Sequence, residues 1–162
     1  MKKHDHDHSN YVGEELDLFA KATNWKSYLK RVLSPYISGD VLEVGAGIGA
    51  TSVMLSNNKQ CSWTCLEPDT KLLKRIEERF VSHPLPIPTR VVEGTIENIP
   101  DGARFDTILY IDVLEHIPDD QEQLRMAGNL LKKNGRIIIL SPAHQWLFTP
   151  FDDAVGHFRR YT

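Results

Sequence analysis

The sequence predicts a doubly wound, mainly parallel sheet with strand order 3-2-1-4-5, helices on both faces and a helical segment ahead of it. Three observations carry that expectation. Short apolar runs alternate with longer amphipathic stretches between Asp40 and Ser141. The runs are continuous rather than alternating, as strands covered on both faces require. The densest glycine cluster follows the first run and precedes a helix, where α/β folds place a nucleotide-binding loop.

The 162 residues suffice for one domain with a single core. Residues 1–13 read as a flexible tail in which His4, His6 and His8 alternate with acidic or small residues, and 14–162 as the domain. Such a tail is also able to pick up a stray transition metal. With a net charge of −3 the chain lacks the basic surplus of a nucleic-acid binder. No run approaches the roughly 20 apolar residues of a membrane span, and the start lacks the apolar stretch of a signal peptide. The expected location is therefore the cytoplasm, with neither nucleic acid nor membrane as partner. Cys61 and Cys65 fall four apart on one strand, too far for a disulfide, and read as buried thiols.

The elements follow in order. From Glu14 to Tyr36 apolar residues recur at helical spacing, broken near Thr23-Asn24, with Phe19, Trp25 and Tyr28 expected in the core. Asp40–Val44 is the first strand and Gly49–Asn57 a helix. Cys61–Glu67 is the second strand, and Asp69 caps a helix reaching Val81. Thr89–Glu93 and Phe105–Asp112 are the third and fourth strands. A helix over Asp119–Lys133 shows the apolar face Leu124, Ala127, Leu130 and Leu131, and Asn134-Gly135 ends it. Arg136–Ser141 is the fifth strand. It stands at the sheet edge, and its run Ile137-Ile138-Ile139-Leu140 needs a cover. Either Trp146–Tyr161 folds back across it or the chain self-associates there.

The glycine loop reads Glu43-Val44-Gly45-Ala46-Gly47-Ile48-Gly49. Glycine allows sharp turns and close approach of backbone to ligand, and free N–H groups at the next helix favour a nearby anionic group. Glu67 ends the second strand, where a carboxylate accepts from both hydroxyls of a ribose. Gly45, Gly47 and Ala50 can be forced into the dinucleotide spacing, but Gly49 makes the loop G-x-G-x-G. Glu43, within the first strand, suits a cationic amino-acid portion better than a pyrophosphate.

Glu43 through Gly49 resembles motif I of the class I S-adenosylmethionine-dependent methyltransferases. The likeness extends over most of the chain. Glu67-Pro68-Asp69 resembles the ribose-binding strand end, and Glu93 to Pro100 the adenine-binding segment. Phe105 to Ile117 resembles the fourth strand with its catalytic-face loop, and Leu130 to Gly135 the turn before the fifth strand. The resemblance implies that Glu43, Gly45, Ala46, Gly47, Gly49, Glu67, Pro68, Thr95, Ile96 and Asp112 bind S-adenosylmethionine. Many relatives carry Asp where this chain has Thr95, a weaker acceptor for the adenine amino group, while the Ile96 backbone can meet the adenine edge.

Methyl transfer from a sulfonium is an in-line displacement that asks mainly for alignment and exclusion of water. A hydroxyl or ammonium acceptor also needs a base. Asp112 and His116 are candidates from the loop after the fourth strand. The segment from Ser141 to Tyr161 resembles the acceptor-side cover of a subgroup of these enzymes, which adds His144 and His157. Glu115-His116 alone supplies too few ligands to define a metal site, so none is assigned. The family normally continues beyond this point with a helix and two strands, so the chain reads as truncated or unusually short. The expected function is methyl transfer from S-adenosylmethionine to an unidentified, small-molecule acceptor. A non-catalytic S-adenosylmethionine- or nucleotide-binding module and an NAD-dependent oxidoreductase are the alternatives.

Overall fold

In the computed structural model, which describes residues 22–162, five strands stand side by side in the order β3-β2-β1-β4-β5, all neighbours parallel. They are β1 (Gly39–Val44), β2 (Gln60–Glu67), β3 (Thr89–Glu93), β4 (Phe105–Ile111) and β5 (Leu131–Leu140). The helices are α1 (Thr23–Leu33), α2 (Ala50–Leu55), α3 (Thr70–Ser82), α4 (Asp120–Asn129) and the short α5 (Pro150–Ala154). The order expected from sequence is the order observed.

Strand pleating sorts side chains into two cores. On β1, Leu42 and Val44 enter the layer that holds Ala127 of α4 and Tyr110 of β4. Val41 enters the opposite layer, with Trp63 of β2, Leu55 of α2 and Ile76 of α3. The apolar face expected for α4 is real: Leu124, Leu130 and Leu131 pack against the first core around Ala127. Asp69 caps α3 as expected, accepting from the N–H groups of Lys71 at 2.7 Å and Leu72 at 3.3 Å.

Several boundaries differ. The helical pattern expected across Asp119–Lys133 stops at Asn129, and β5 begins at Leu131 rather than Arg136. Sheet pairing overrides helical periodicity here: Leu131 pairs with Phe105, whose N–H donates to the Leu130 carbonyl at 2.8 Å. The register then shifts, with Asn134 at φ 66°. The expected break near Thr23 is the start of α1, and Phe19, the tail and its histidines lie outside the described residues. Cys65 is buried but Cys61 is exposed: the β1–β2 register shifts between Gln60 and Ser62, and Cys61 falls at that irregularity without a partner on β1. Trp25 and Tyr28 are each 47% exposed, stacked on one another rather than placed in the core; only Leu29 of α1 is buried.

The last twenty residues do not cross the β5 edge. Their hydrogen bonds to the rest of the domain run to the stretch between Leu114 and Asp120, and a parallel bridge joins Ala143 to Tyr161. Among the described residues no strand pairs with the outer side of β5, where Ile139 stays 43% exposed. No helix among the described residues is long and apolar enough to cross a membrane.

Candidate functional site

At the carboxyl end of the sheet lies a cavity of about 1030 Å³, at the upper end of the range for small-molecule sites. Its floor is the glycine loop. Gly45 has φ +67°, and a Cβ there would come within 2.6 Å of Val113 Cγ2, so the loop lies flush against the segment after β4. The sequence led to an expectation that free N–H groups of the helix after the loop favour an anion. Four N–H groups of the loop itself turn inward. Gly45 and Ala46 donate to the Leu66 carbonyl at 2.8 and 3.1 Å, Gly47 to Glu67 Oε2 at 2.8 Å, and Gly49 to the Ala46 carbonyl at 2.9 Å. That loop suits a ligand without a pyrophosphate.

Glu67 is buried at the tip of β2 and lines the cavity. Its Oε1 accepts from the Asp69 N–H at 3.0 Å and its Oε2 from Gly47. Burial raises its pKa, and the two backbone donors oppose that shift. Each carboxylate oxygen keeps a further lone pair for a ligand hydroxyl. Pro68, Thr95 and Ile96 line the same end. The Thr95 hydroxyl is turned to local use: it donates to Glu97, while the Thr95 N–H donates to Asn98 Oδ1 at 2.8 Å across the short turn Ile96–Asn98.

Glu43 departs from its expected place at the cofactor. It shares the pleat face of Val41, so its side chain points under the sheet and is not among the cavity-lining groups. Only 2% exposed, it accepts from Ser52 Oγ at 2.5 Å and Trp63 Nε1 at 2.9 Å. Burial outweighs those two bonds and pushes its pKa up to about 7.

The far wall of the cavity gathers carboxylates and imidazoles. Asp112 follows β4 in the left-handed region at φ 54°, its N–H donating to the Leu140 carbonyl at 2.8 Å. Its surface is open to the cavity, yet protein walls surround it. That desolvation raises its pKa to about 6, with the Glu115 charge adding and His157 opposing. Glu115 is fully buried; Oε2 accepts from Ser141 Oγ at 2.5 Å, whereas Oε1 has no hydrogen-bond partner among the described residues. Burial, then the nearby His157, lower the His116 pKa to about 4 against a bond to the Gly156 backbone. At neutral pH His116 is an uncharged imidazole, a poorer proton acceptor than its residue type suggested.

The two rings of His116 and His157 meet edge to face with centroids 4.6 Å apart. Sequence separates them by forty-one positions. His157 Nδ1 lies 2.9 Å from Oδ1 of Asp152, which is fully buried in the short α5. Arg160 donates to the same carboxylate through Nε and Nη2, each at 2.8 Å, and holds it well below the usual carboxylate range. Phe158 N–H to the Glu115 carbonyl at 2.8 Å and Tyr161 Oη to Asp120 at 2.7 Å fasten this segment over the loop. His144, a candidate from sequence, is exposed and outside the cavity lining, because its N–H is drawn to the Tyr161 carbonyl at 2.6 Å.

The sequence placed the segment from Ser141 to Tyr161, with Asp152 and Arg160, on the acceptor side but gave Ser141, Asp152 and Arg160 no individual roles, and it expected Trp25 in the core, where the structure puts it in the cavity lining. The signal for Asp152 was a capping box, Thr149 with Asp152 three residues on, ahead of a histidine. Glu115, His116 and His157 bring ligand atoms within 4.8 Å of one another, a set able to hold a metal ion.

A five-stranded parallel sheet in this order, with a glycine loop after β1 and an acidic tip on β2, defines a Rossmann-like methyltransferase fold. Residues 42–137 match the family model described as "Methyltransferase domain", which is more than half of the chain. The chain belongs to that family, whose cofactor is S-adenosylmethionine. It is similar to the polyketide synthase component of lovastatin nonaketide synthase from Aspergillus terreus, 27% identical over 74% of this chain and 4% of that protein. It is also similar to the ubiquinone biosynthesis O-methyltransferase of Xanthomonas euvesicatoria, 27% identical over 81% of this chain and 62% of the relative. The chain therefore spans less than two thirds of these relatives. Among solved structures, coclaurine N-methyltransferase bound to N-methylheliamine and S-adenosylhomocysteine superposes with a TM-score of 0.63, at 20% identity over 74% of this chain and 37% of that one.

The residues present fit the cofactor. Four loop N–H groups are bonded within the protein, Glu67 keeps lone pairs at the tip of β2, and the cavity of about 1030 Å³ runs from there to Asp112 and the imidazoles.

Proposed function

We propose that this chain transfers a methyl group from S-adenosylmethionine to a small, polar acceptor. The observation that carries the reading is the continuity of the cavity, which runs from Gly47 and Glu67 at one end to His116, His157 and Arg160 at the other. Bound at the glycine loop, S-adenosylmethionine supplies an electrophilic methyl group for in-line displacement. Glu67 holds the ribose, Thr95 and Ile96 border the adenine, and Asp112 stands where the amino-acid end and the acceptor meet. The wall of Asp112, Glu115, His116 and His157 orients the acceptor and receives its proton, while Phe151 and Trp25 at the mouth exclude water.

Titration calorimetry with S-adenosylhomocysteine and with NAD tests the cofactor half directly. Saturable binding of the first and none of the second is expected. Comparable affinity for NAD would return the chain to the dinucleotide reading. Release of S-adenosylhomocysteine across a panel of hydroxyl and amine acceptors then identifies the substrate.

The outer edge of β5 supports a second proposal, pairing with another copy of the chain. Its support is the unpaired side of a ten-residue strand with Ile139 half exposed. Sedimentation of the full chain over a concentration series reads this out, and a monomer at every concentration removes it.

A further inference from the structure

We infer that Gln123 of α4 selects the base of the cofactor, its Oε1 accepting a hydrogen bond from the 6-amino group of adenine. The inference rests on the reading proposed above, in which Thr95 and Ile96 border that adenine. It supplies an acceptor that the Thr95 position does not: the Thr95 hydroxyl is bonded to Glu97, and the Thr95 N–H to Asn98 Oδ1.

The fold brings Gln123 to this end of the cavity. Helix α4 packs against the turn Ile96–Asn98. Ala127, one turn on from Gln123 along the same helix face, shares the first core with Ile96 and Leu114. Gln123 itself is only 7% exposed and belongs to the cavity lining, as do Thr95, Ile96 and Ile117.

Its amide is held in one orientation. Nε2 donates to Oη of Tyr110 at 3.0 Å, and Tyr110 is wholly buried in β4. With the nitrogen engaged, Oε1 is the end left for a ligand. No donor among the described residues reaches Oε1, yet it is not sealed inside the protein as Glu115 Oε1 is. The open space that Gln123 borders is the cavity.

A carbonyl oxygen in such surroundings costs free energy unless a donor meets it. The adenine amino group is such a donor. A 6-oxo purine would set one carbonyl oxygen against another, and a purine bare at that position would leave Oε1 unpaired. A site that rejects analogues in this way draws its selectivity from the stranded polar group. Glu97 also lines the cavity, but it is exposed and already bonded to Thr95. An acceptor in contact with water loses less when a ligand donor is missing, so it discriminates less.

Titration calorimetry of the full chain tests this with two ligands: S-adenosylhomocysteine, and the analogue in which hydrogen replaces the 6-amino group. The wild type should prefer the first by about five- to tenfold, the worth of one hydrogen bond. Gln123→Leu and Gln123→Met, which keep the bulk, should bind the two ligands alike, the loss falling on S-adenosylhomocysteine. Gln123→Glu keeps an acceptor oxygen and should retain most of the preference. Tyr110→Phe releases the amide and should fall between. Circular dichroism on the same samples establishes that each variant is folded. A wild type with no preference overturns the role of Gln123. So does a preference that survives in both apolar variants and vanishes in Glu97→Ala, or a loss that falls equally on both ligands. A wild type that binds neither ligand removes the cofactor reading itself, whereas the other outcomes leave that reading standing.

Discussion

The two ends of the cavity are built on different principles. The cofactor end is made of contiguous backbone: a loop that bonds to itself and to the tip of β2, with Glu67 as its one buried acidic side chain. The acceptor end is made of side chains from distant segments. His157 reaches His116, Arg160 and His157 converge on Asp152, and Ser141 meets Glu115. Backbone sites tolerate change around them, since their donors are set by the turn itself. Side-chain networks in low dielectric do not, because each lost partner strands another group.

If the division holds, changes at the acceptor end spare cofactor affinity. The largest effect is expected from His157→Asn, which should lower turnover by about 10²–10⁴-fold, with a smaller loss from His116→Asn. S-adenosylhomocysteine affinity should stay within about twofold. A parallel loss of affinity would show that the two ends are one unit.

A second test lies beneath the cofactor end. Burial raises the Glu43 pKa from 4.5 to about 7, so folding favours the protonated form. Its stabilising contribution is complete below pH 4.5 and is lost as pH rises through about 7. The loss amounts to about 3 kcal/mol. Urea unfolding at intervals across that range should show the decline in the wild type and a flatter profile in Glu43→Gln. Identical profiles would mean that Glu43 does not titrate in the folded protein.

Next in size, Glu67→Ala should weaken S-adenosylmethionine binding by about 1.5–3 kcal/mol, as expected for hydrogen bonds to a charged group. Unchanged affinity would leave Glu67 as a brace for the loop and nothing more. The smallest effect is expected at Asp69→Ala. Losing the cap of α3 should cost about 1 kcal/mol of stability, seen in the urea midpoint, with little change in cofactor affinity.

The same contrast explains what could be read without a structure. The strands, the glycine loop and the position of Glu67 at the end of β2 were legible because each is carried by a short stretch of sequence; the sheet order, which pairs β1 with β4, needs the rules of α/β winding as well. Glu43 was misplaced because proximity to the loop is not direction: one pleat step turns it under the sheet, toward Ser52 and Trp63. His144 and His157 looked equivalent in sequence. A single bond from the His144 N–H to Tyr161 keeps the first outside, and the Asp152 carboxylate draws the second in. The end of α4 was misread because a strand pairing twenty-six residues away, Phe105 with Leu131, outweighs local helical rhythm. Trp25 and Tyr28 carry a helical spacing that says nothing about whether a partner layer covers them.

The bridge between Ala143 and Tyr161 closes the last stretch of chain into a ring clipped at its neck. Within that ring, α5 is too short to persist alone, and its order comes from Asp152 gathering Thr149, His157 and Arg160 around one carboxylate. The ring meets the first core through Tyr161, and its other ties to the domain are hydrogen bonds and the Arg159–Asp120 ion pair, so its amides are expected to exchange ahead of those in the five strands.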